Sequence, residues 1–147
     1  MAKDEDQPGW LSALERCGLQ VLRATVPQDV PSVTAAVHAV TGIEVEPVAV
    51  IPESSPHATD ELDRLWHHHA ANCSLYGDDG EFFILPPVSG GSRVGWVRVS
   101  DSVGRNLPSR MAVVSGSPEF LAVSADGRHM CAASVEECDY WVVVHEF

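Results

Sequence analysis

Apolar and polar residues alternate along the last third of the chain, and this pattern predicts a run of short β-strands. The segment 119–133 contains two such runs joined by Asp126 and Gly127. Asp-Gly between apolar runs is a strong hairpin signal, because both central residues of a type I′ turn require positive φ. A further strand at 140–147 follows the acidic connector 136–139. Together these three strands predict an antiparallel meander that places the end of the chain within the sheet.

Apolar positions at helical spacing predict three helices in the first half of the chain, at 8–17, 31–41 and 59–73. The longest is predicted to begin with Thr59 as its N-cap. Its apolar face is formed by Leu62, Leu65, Trp66, His69, Ala70 and Cys73.

Further strands are predicted at 19–26, 43–51, 81–85, 93–99 and 110–114, and the two hairpin strands are bounded at 120–125 and 128–133. Pro47 places the second of these at an edge or a bulge. Because helices come early and strands late, we expect an α+β fold. Two or three helices from the N-terminal half would pack on one face of a largely antiparallel sheet that ends in a C-terminal meander.

Length and composition are those of a single domain over 1–147, with residues 1–7 predicted to be disordered. The net charge of −12 is the unusual feature. The start of the chain, with Lys3 against Asp4, Glu5 and Asp6, contributes −2 of it, which leaves −10 for the rest. Such a surface repels phosphate backbones and anionic lipids, so we expect neither nucleic acid nor membrane as a partner. The alternative is that the charge serves solubility alone.

The chain begins without an apolar signal segment, and no apolar run approaches the roughly 18 residues of a membrane helix, so we expect a cytoplasmic protein. Its four cysteines include no Cys-x-x-Cys pair and are predicted to be reduced thiols. A single lysine among nine basic residues, with abundant alanine, valine and glycine, is typical of a GC-rich bacterial genome.

Histidine is the residue type that most suggests a metal site. Three adjacent histidines at 67–69 diverge by about 100° each on a helix, which leaves Asp63 and His67 as the pair at ligand spacing. His129 and His145 lie on predicted strands. Asp63, His67, His129 and His145 are therefore the candidate ligands. The alternative is that the first two belong to a polar helix end and that the two strand histidines are hydrogen-bonded structural residues.

A larger His/Asp/Glu pocket would add His57 and Glu146 to these candidates. Nucleophile motifs are absent from the sequence, so no catalytic residue is assigned. The Gly-rich segment 89–92 resembles a phosphate loop only in composition. It is predicted to be a Gly-Gly turn between two strands, and we expect no cofactor.

Acidic residues form three groups at predicted turns and at a helix start, where side chains project from the fold. If two groups lie together, they would steer a basic protein partner. Tyr76, Trp96, Tyr140 and Trp141 are the aromatic residues available as anchors. The predicted partner-binding residues are Asp60, Glu61, Asp63, Asp78, Asp79, Glu81, Glu136, Glu137 and Asp139.

In size, charge and layout the chain resembles the small acidic cytosolic α+β proteins of GC-rich bacteria that include antidote and immunity proteins. The resemblance implies a non-enzymatic protein that binds and neutralises a basic toxin or enzyme, as a monomer or homodimer. One alternative is a small metal- or ligand-binding enzyme with a His/Asp/Glu pocket between helices and sheet. Another is a structural subunit that dimerises through an edge strand.

Overall fold

The computed structural model describes residues 9–22, 30–42, 45–77, 80–88 and 90–147. Within these ranges seven strands form one antiparallel sheet in the order β1-β4-β3-β5-β6-β7-β2. The strands are β1 Leu19–Val21, β2 Ala49–Pro52, β3 Glu81–Ile84, β4 Val97–Asp101, β5 Phe120–Ser124, β6 His129–Val135 and β7 Asp139–Glu146. The predicted C-terminal meander is β5, β6 and β7, which are neighbours in chain order.

The helices of the described ranges are α1 Gly9–Arg16, α2 Val33–Thr41, α3 Ala58–Asn72, the single turn α4 Gly91–Val94, and α5 Leu107–Ser115. Helices α1, α3 and α5 pack on the face of the sheet that carries Phe82 and Cys131, here called the first face. Helix α2 packs on the opposite, second face, which carries Phe83 and Met130. None of these helices has both the length and the apolarity needed to cross a bilayer.

The α+β fold is therefore confirmed, but the expectation that all helices share one face is wrong for α2. Successive strand residues point to opposite faces, so a strand buried along its whole length requires cover on both sides. Strand β6 is such a strand, with every residue from Met130 to Ser134 buried. Ala36 and Val40 of α2 supply part of the cover on the second face.

The Asp-Gly hairpin is confirmed, with a different turn from the one predicted. Four residues, 125–128, connect β5 to β6, and Gly127 is the one among them with positive φ, at 75°. The Gly127 N–H donates to the Ser124 carbonyl at 2.9 Å. The Asp126 carboxylate accepts from the Ser124 hydroxyl and from the Arg128 N–H, so this side chain holds the loop.

The predicted strand at 110–114 is wrong, because this segment belongs to α5. Leu107 and Met111 lie one helical turn apart and are both buried, whereas Val113 is 84% exposed. Pro108 occupies the first turn, and Gly116 ends the helix at a φ of 86°. These are ordinary helix start and stop signals that the apolar run around Val113 had obscured.

The predicted Gly-Gly turn between strands is also wrong. Gly90 has a φ of 84° and leads into the helical turn α4, and β4 begins only at Val97 rather than at residue 93. Glycine accommodates this left-handed conformation at little cost, so the segment can enter a helical turn directly.

Other boundaries differ by shorter distances. Strand β1 ends at Val21, and the rest of its predicted range from residue 23 onward lies outside the described ranges. Residues 1–7, which were predicted to be disordered, also lie outside them, as do residues 43–44 of the predicted strand 43–51. Strand β2 begins at Ala49 and lies at an edge of the sheet, where Pro47 had placed it. Helix α3 begins at Ala58 with His57 in the N-cap position, two residues before the N-cap predicted at Thr59. Its predicted apolar face is buried at Leu62, Trp66 and Ala70.

Candidate partner-binding surface

One end of the sheet collects carboxylates from four strand ends. Pro52 pairs with Asp139 and Val135 pairs with Tyr140, so the end of β2, the end of β6 and the start of β7 lie together. The start of β5 joins them, because Phe120 pairs with Ala133. The acidic residues here, called the acidic end, are Glu53, Glu119, Glu136, Glu137 and Asp139.

Main-chain hydrogen bonds fix the positions of these residues. The Glu53 N–H donates to the Cys138 carbonyl at 2.9 Å, and the Glu136 N–H donates to the Asp139 carbonyl at 2.8 Å, which closes the β6–β7 turn. The Glu119 carboxylate accepts from the Val135 N–H at 3.0 Å and so joins the start of β5 to the end of β6. The acidic end is thus built on an ordered frame.

The carboxylates of the acidic end belong to neighbouring strand ends and form no ion pair with any residue that the structure describes. Neighbouring strands lie about 4.8 Å apart, so the row from β5 to β2 spans about 14 Å. Two carboxylates about 5 Å apart in water repel each other by about 0.8 kcal/mol. The ion pairs of the described residues lie elsewhere, between Arg98 and Glu81 and between Arg110 and Asp101. A basic group bound here would relieve the repulsion.

Asp63, predicted both as a partner-binding residue and as a metal ligand, makes a structural contact. Its Oδ1 accepts from the Ser109 N–H at 2.9 Å, and its Oδ2 accepts from the Ser109 hydroxyl at 2.5 Å. Ser109 is in the first turn of α5, so a carboxylate on α3 caps the neighbouring helix.

The other predicted acidic residues are distributed over several places. Glu81 pairs with Arg98, whose Nε lies 2.7 Å from Glu81 Oε1. Asp60 lines a shallow cleft with Arg64 and Arg105, while Glu61 is exposed on the first turn of α3. Asp78 and Asp79 lie outside the described ranges. The predicted residues that the structure brings together are therefore the three of the β6–β7 turn, Glu136, Glu137 and Asp139.

The candidate histidines contact different residues. His67 Nδ1 lies 3.4 Å from the Tyr76 hydroxyl. His129 pairs with Glu146, and Met130 pairs with His145, so the two strand histidines point to opposite faces of the sheet. Among the described residues no group of three His, Cys, Asp or Glu side chains is placed to hold a metal ion.

The aromatic residues predicted as anchors have different surroundings. Tyr76 packs edge-on against Phe82 in the core, and burial, with a smaller effect of the Asp101 charge, raises the pKa of its hydroxyl well above the usual range. The Trp96 indole N–H donates to the Pro31 carbonyl at 2.8 Å.

Trp141 is the anchor candidate that borders the acidic end. It lies on β7 beside Val50, which is 50% exposed at the edge strand β2. Its indole N–H is buried and has no hydrogen-bond partner among the described residues. Val48, 47% exposed, extends this apolar border along the same side of β2.

A groove of about 740 Å³ lies between α2 and β7, away from the acidic end. His38, Glu46 and His145 contribute its ionisable side chains. The sequence had not singled out His38 or Glu46, and neither residue belongs to a recognisable motif. The groove is where a ligand-binding alternative would be sought.

Comparisons with family models, with curated proteins and with solved structures gave no match. The functional argument therefore depends on the residues of this chain.

Proposed function

We propose that this protein binds a basic partner protein through the acidic end and neutralises it, as an antidote or immunity protein does. The observation that supports the proposal is the row of five carboxylates from four strand ends, with no ion pair to any described residue. The net charge of −12 makes the whole chain negative, like the acidic end.

Electrostatics give the proposal its kinetic signature. Charges at an exposed rim raise the rate of association and set the orientation of the encounter, while they affect dissociation less. The Debye length is about 8 Å at physiological ionic strength, so the attraction is screened as salt is added. A partner that matches the acidic end would present lysine or arginine side chains along about 14 Å, the width of the four strands.

The apolar border beside the acidic end supplies the other part of an interface. Interfaces combine charged rims with a few large apolar or aromatic side chains. Trp141, Val50 and Val48 offer such a patch.

The test is a set of charge reversals with a control on the same strand. Glu53→Lys and Glu137→Lys change exposed side chains of the acidic end that make no hydrogen bond to any described residue. Glu146→Lys makes the same change in net charge at the opposite end of β7. Partners are captured from cells of the source organism, and their association is measured over a salt series.

We expect basic partners whose association rate falls several-fold with rising salt and with either acidic-end reversal. Glu146→Lys should retain most of the wild-type association rate. The proposal is overturned if the captured partners are acidic or neutral, or if association does not depend on salt. It is also overturned if Glu146→Lys weakens binding as much as Glu137→Lys.

A further inference from the structure

Strand β2 lies at an edge of the sheet and pairs on one side with β7. On its other side, no strand of the described ranges pairs with it. Its exposed apolar border is formed by Val48 and Val50, which are 47% and 50% exposed. An edge strand presents unpaired main-chain N–H and C=O groups, to which an extended segment of another chain can add as a further strand.

The hydrogen bonds to β7 show which main-chain groups of β2 face outward. The Glu53 N–H donates to the Cys138 carbonyl at 2.9 Å. Because hydrogen-bonded positions alternate along an antiparallel pair, Ile51 also faces β7, and Val50 does not. Val50 therefore turns both its N–H and its C=O toward the free edge. One residue of an added antiparallel strand could exchange two hydrogen bonds with these groups.

The neighbours of Val50 restrict strand addition to this position. Pro47 and Pro52 have no N–H to donate. The Val48 N–H donates inward, to the Val142 carbonyl at 2.8 Å, and the remaining residues between the prolines face β7. Prolines protect an edge strand against extended pairing. An added segment would therefore be short, and its register would be fixed around Val50.

Carboxylates flank the open position on both sides. Glu46 stands four residues before Val50 and Glu53 three residues after it, and both are exposed. Neither forms an ion pair with any residue that the structure describes. A second copy of the chain would bring the same carboxylates and a further charge of −12 to this edge, whereas a basic segment would neutralise them. The charge therefore favours a basic segment over a second copy.

We propose that a short extended segment of the basic partner adds to β2 as an antiparallel strand, with one residue paired to Val50 and with lysine or arginine side chains beside Glu46 and Glu53. This inference rests on the proposed function and names the kind of contact that the partner makes. Apolar side chains of the added strand would pack against Val50, which Trp141 borders from β7.

The probe is the capped peptide acetyl-Lys-Lys-Thr-Val-Val-Val-Thr-Lys-Lys-amide, whose central valine is the residue expected opposite Val50. Two N-methylated forms of it are compared. An N-methyl group on the central valine replaces the N–H that faces Val50, whereas one on the preceding valine replaces an N–H that points away from β2. Binding to the full chain is measured by titration calorimetry at low salt.

We expect the unmodified peptide and the form methylated at the preceding valine to bind alike. The form methylated at the central valine should bind about tenfold more weakly, because it has lost a hydrogen bond and its methyl group meets the edge of β2. The Val50 amide should exchange its hydrogen with solvent more slowly when the unmodified peptide is bound.

Two variants of the protein make the same comparison from the other side. Val50→Pro removes the outward N–H and no hydrogen bond of the β2–β7 pair, whereas Val50→Ala keeps that N–H and shortens the side chain. Val50→Pro should lose peptide binding, and Val50→Ala should weaken it only a few-fold. Urea midpoints show whether both variants are folded. The N-methylated peptides decide the proposal on the wild-type chain even if Val50→Pro does not fold.

The proposal is overturned if no peptide binds, if the two N-methylated forms bind equally, or if the peptide does not slow exchange at Val50. It is also overturned if the chain sediments as a dimer that Val50→Pro dissociates, because a second copy then occupies the edge. A captured basic partner that Glu137→Lys releases and Val50→Pro retains overturns this inference and leaves the proposed function standing. Acidic or neutral captured partners overturn the proposed function itself, whatever the peptides do.

Discussion

Replacing Asp63 with alanine is expected to destabilise the protein by about 2 kcal/mol. The carboxylate accepts two hydrogen bonds from Ser109, one from the backbone N–H and one from the hydroxyl. In the first turn of α5, Pro108 has no N–H, and the Arg110 N–H already donates to the Asn106 carbonyl. Asp63 therefore satisfies a donor for which the helix has no partner of its own.

The magnitude follows from two known effects. Loss of a helix cap costs about 0.5–2 kcal/mol. Hydrogen bonds to a charged group contribute about 1.5–3 kcal/mol, less where the group is partly exposed, as Asp63 is. For a domain of this size, about 2 kcal/mol corresponds to a fall in Tm of about 4–8 °C.

The assay is urea unfolding followed by circular dichroism, with matched variants. Asp60→Ala removes a carboxylate from the first turn of α3, before Asp63, that makes no hydrogen bond to Ser109, and it should cost less than about 1 kcal/mol. Ser109→Ala removes the hydroxyl and keeps the backbone bond, so its effect should be intermediate. If Asp63→Ala and Asp60→Ala are equally stable, the carboxylate does not stabilise α5.

Three further variants test other parts of the fold. Gly127→Val forces a β-branched residue to a φ of 75° and should lower stability by about 1–3 kcal/mol in a thermal melt; an unchanged melt would mean the turn is elsewhere. The Ser124 hydroxyl and the Arg128 N–H lower the pKa of Asp126, so its contribution is present above the ordinary value of 3.8 and is lost as pH falls through the lowered pKa. The urea midpoints of wild type and Asp126→Asn should therefore converge in acid, and a gap that persists there would contradict this. Arg110→Met leaves the nearly buried Asp101 without its cation and should cost about 3–5 kcal/mol in urea; a loss under 1 kcal/mol would refute the pairing.

The sequence predicts an element well where one physical signal dominates. Helix α3 has a long apolar face, and the β5–β6 hairpin has apolar runs around Gly127, so both were found. Helix α5 was missed because its exposed Val113 and the half-buried Val114 read as strand residues. Its burial depends on Leu107 and Met111, and Met111 packs against Cys17 from a distant part of the chain.

The face on which a helix packs was not predictable from helical periodicity. The apolar stripe of α2 would look the same on either side of the sheet. The signal lay in β6, where both alternating sets of residues are apolar or small from Met130 to Ser134. Such a strand needs cover on both faces, and this requirement places α2 opposite α3.

The acidic end shows why charge along the chain is a poor guide to charge in space. A run such as 136–139 indicates an exposed turn, but strand register decides which turns are neighbours. The register brings Glu53 and Glu119 to this turn although each is isolated in sequence. It leaves Asp63 at a helix cap and Glu81 beside Arg98.

The different surroundings of the acidic residues determine which variants can report on binding. A reversal at Asp63 would remove the cap of α5, and a reversal at Glu81 would break an ion pair, so either could weaken binding by destabilising the fold. Reversal at Glu119 would remove the bond to the Val135 N–H. Glu53 and Glu137 bear exposed side chains that no described residue bonds. Loss of partner binding in these two variants, with an unchanged urea midpoint, would therefore be an electrostatic effect of the acidic end.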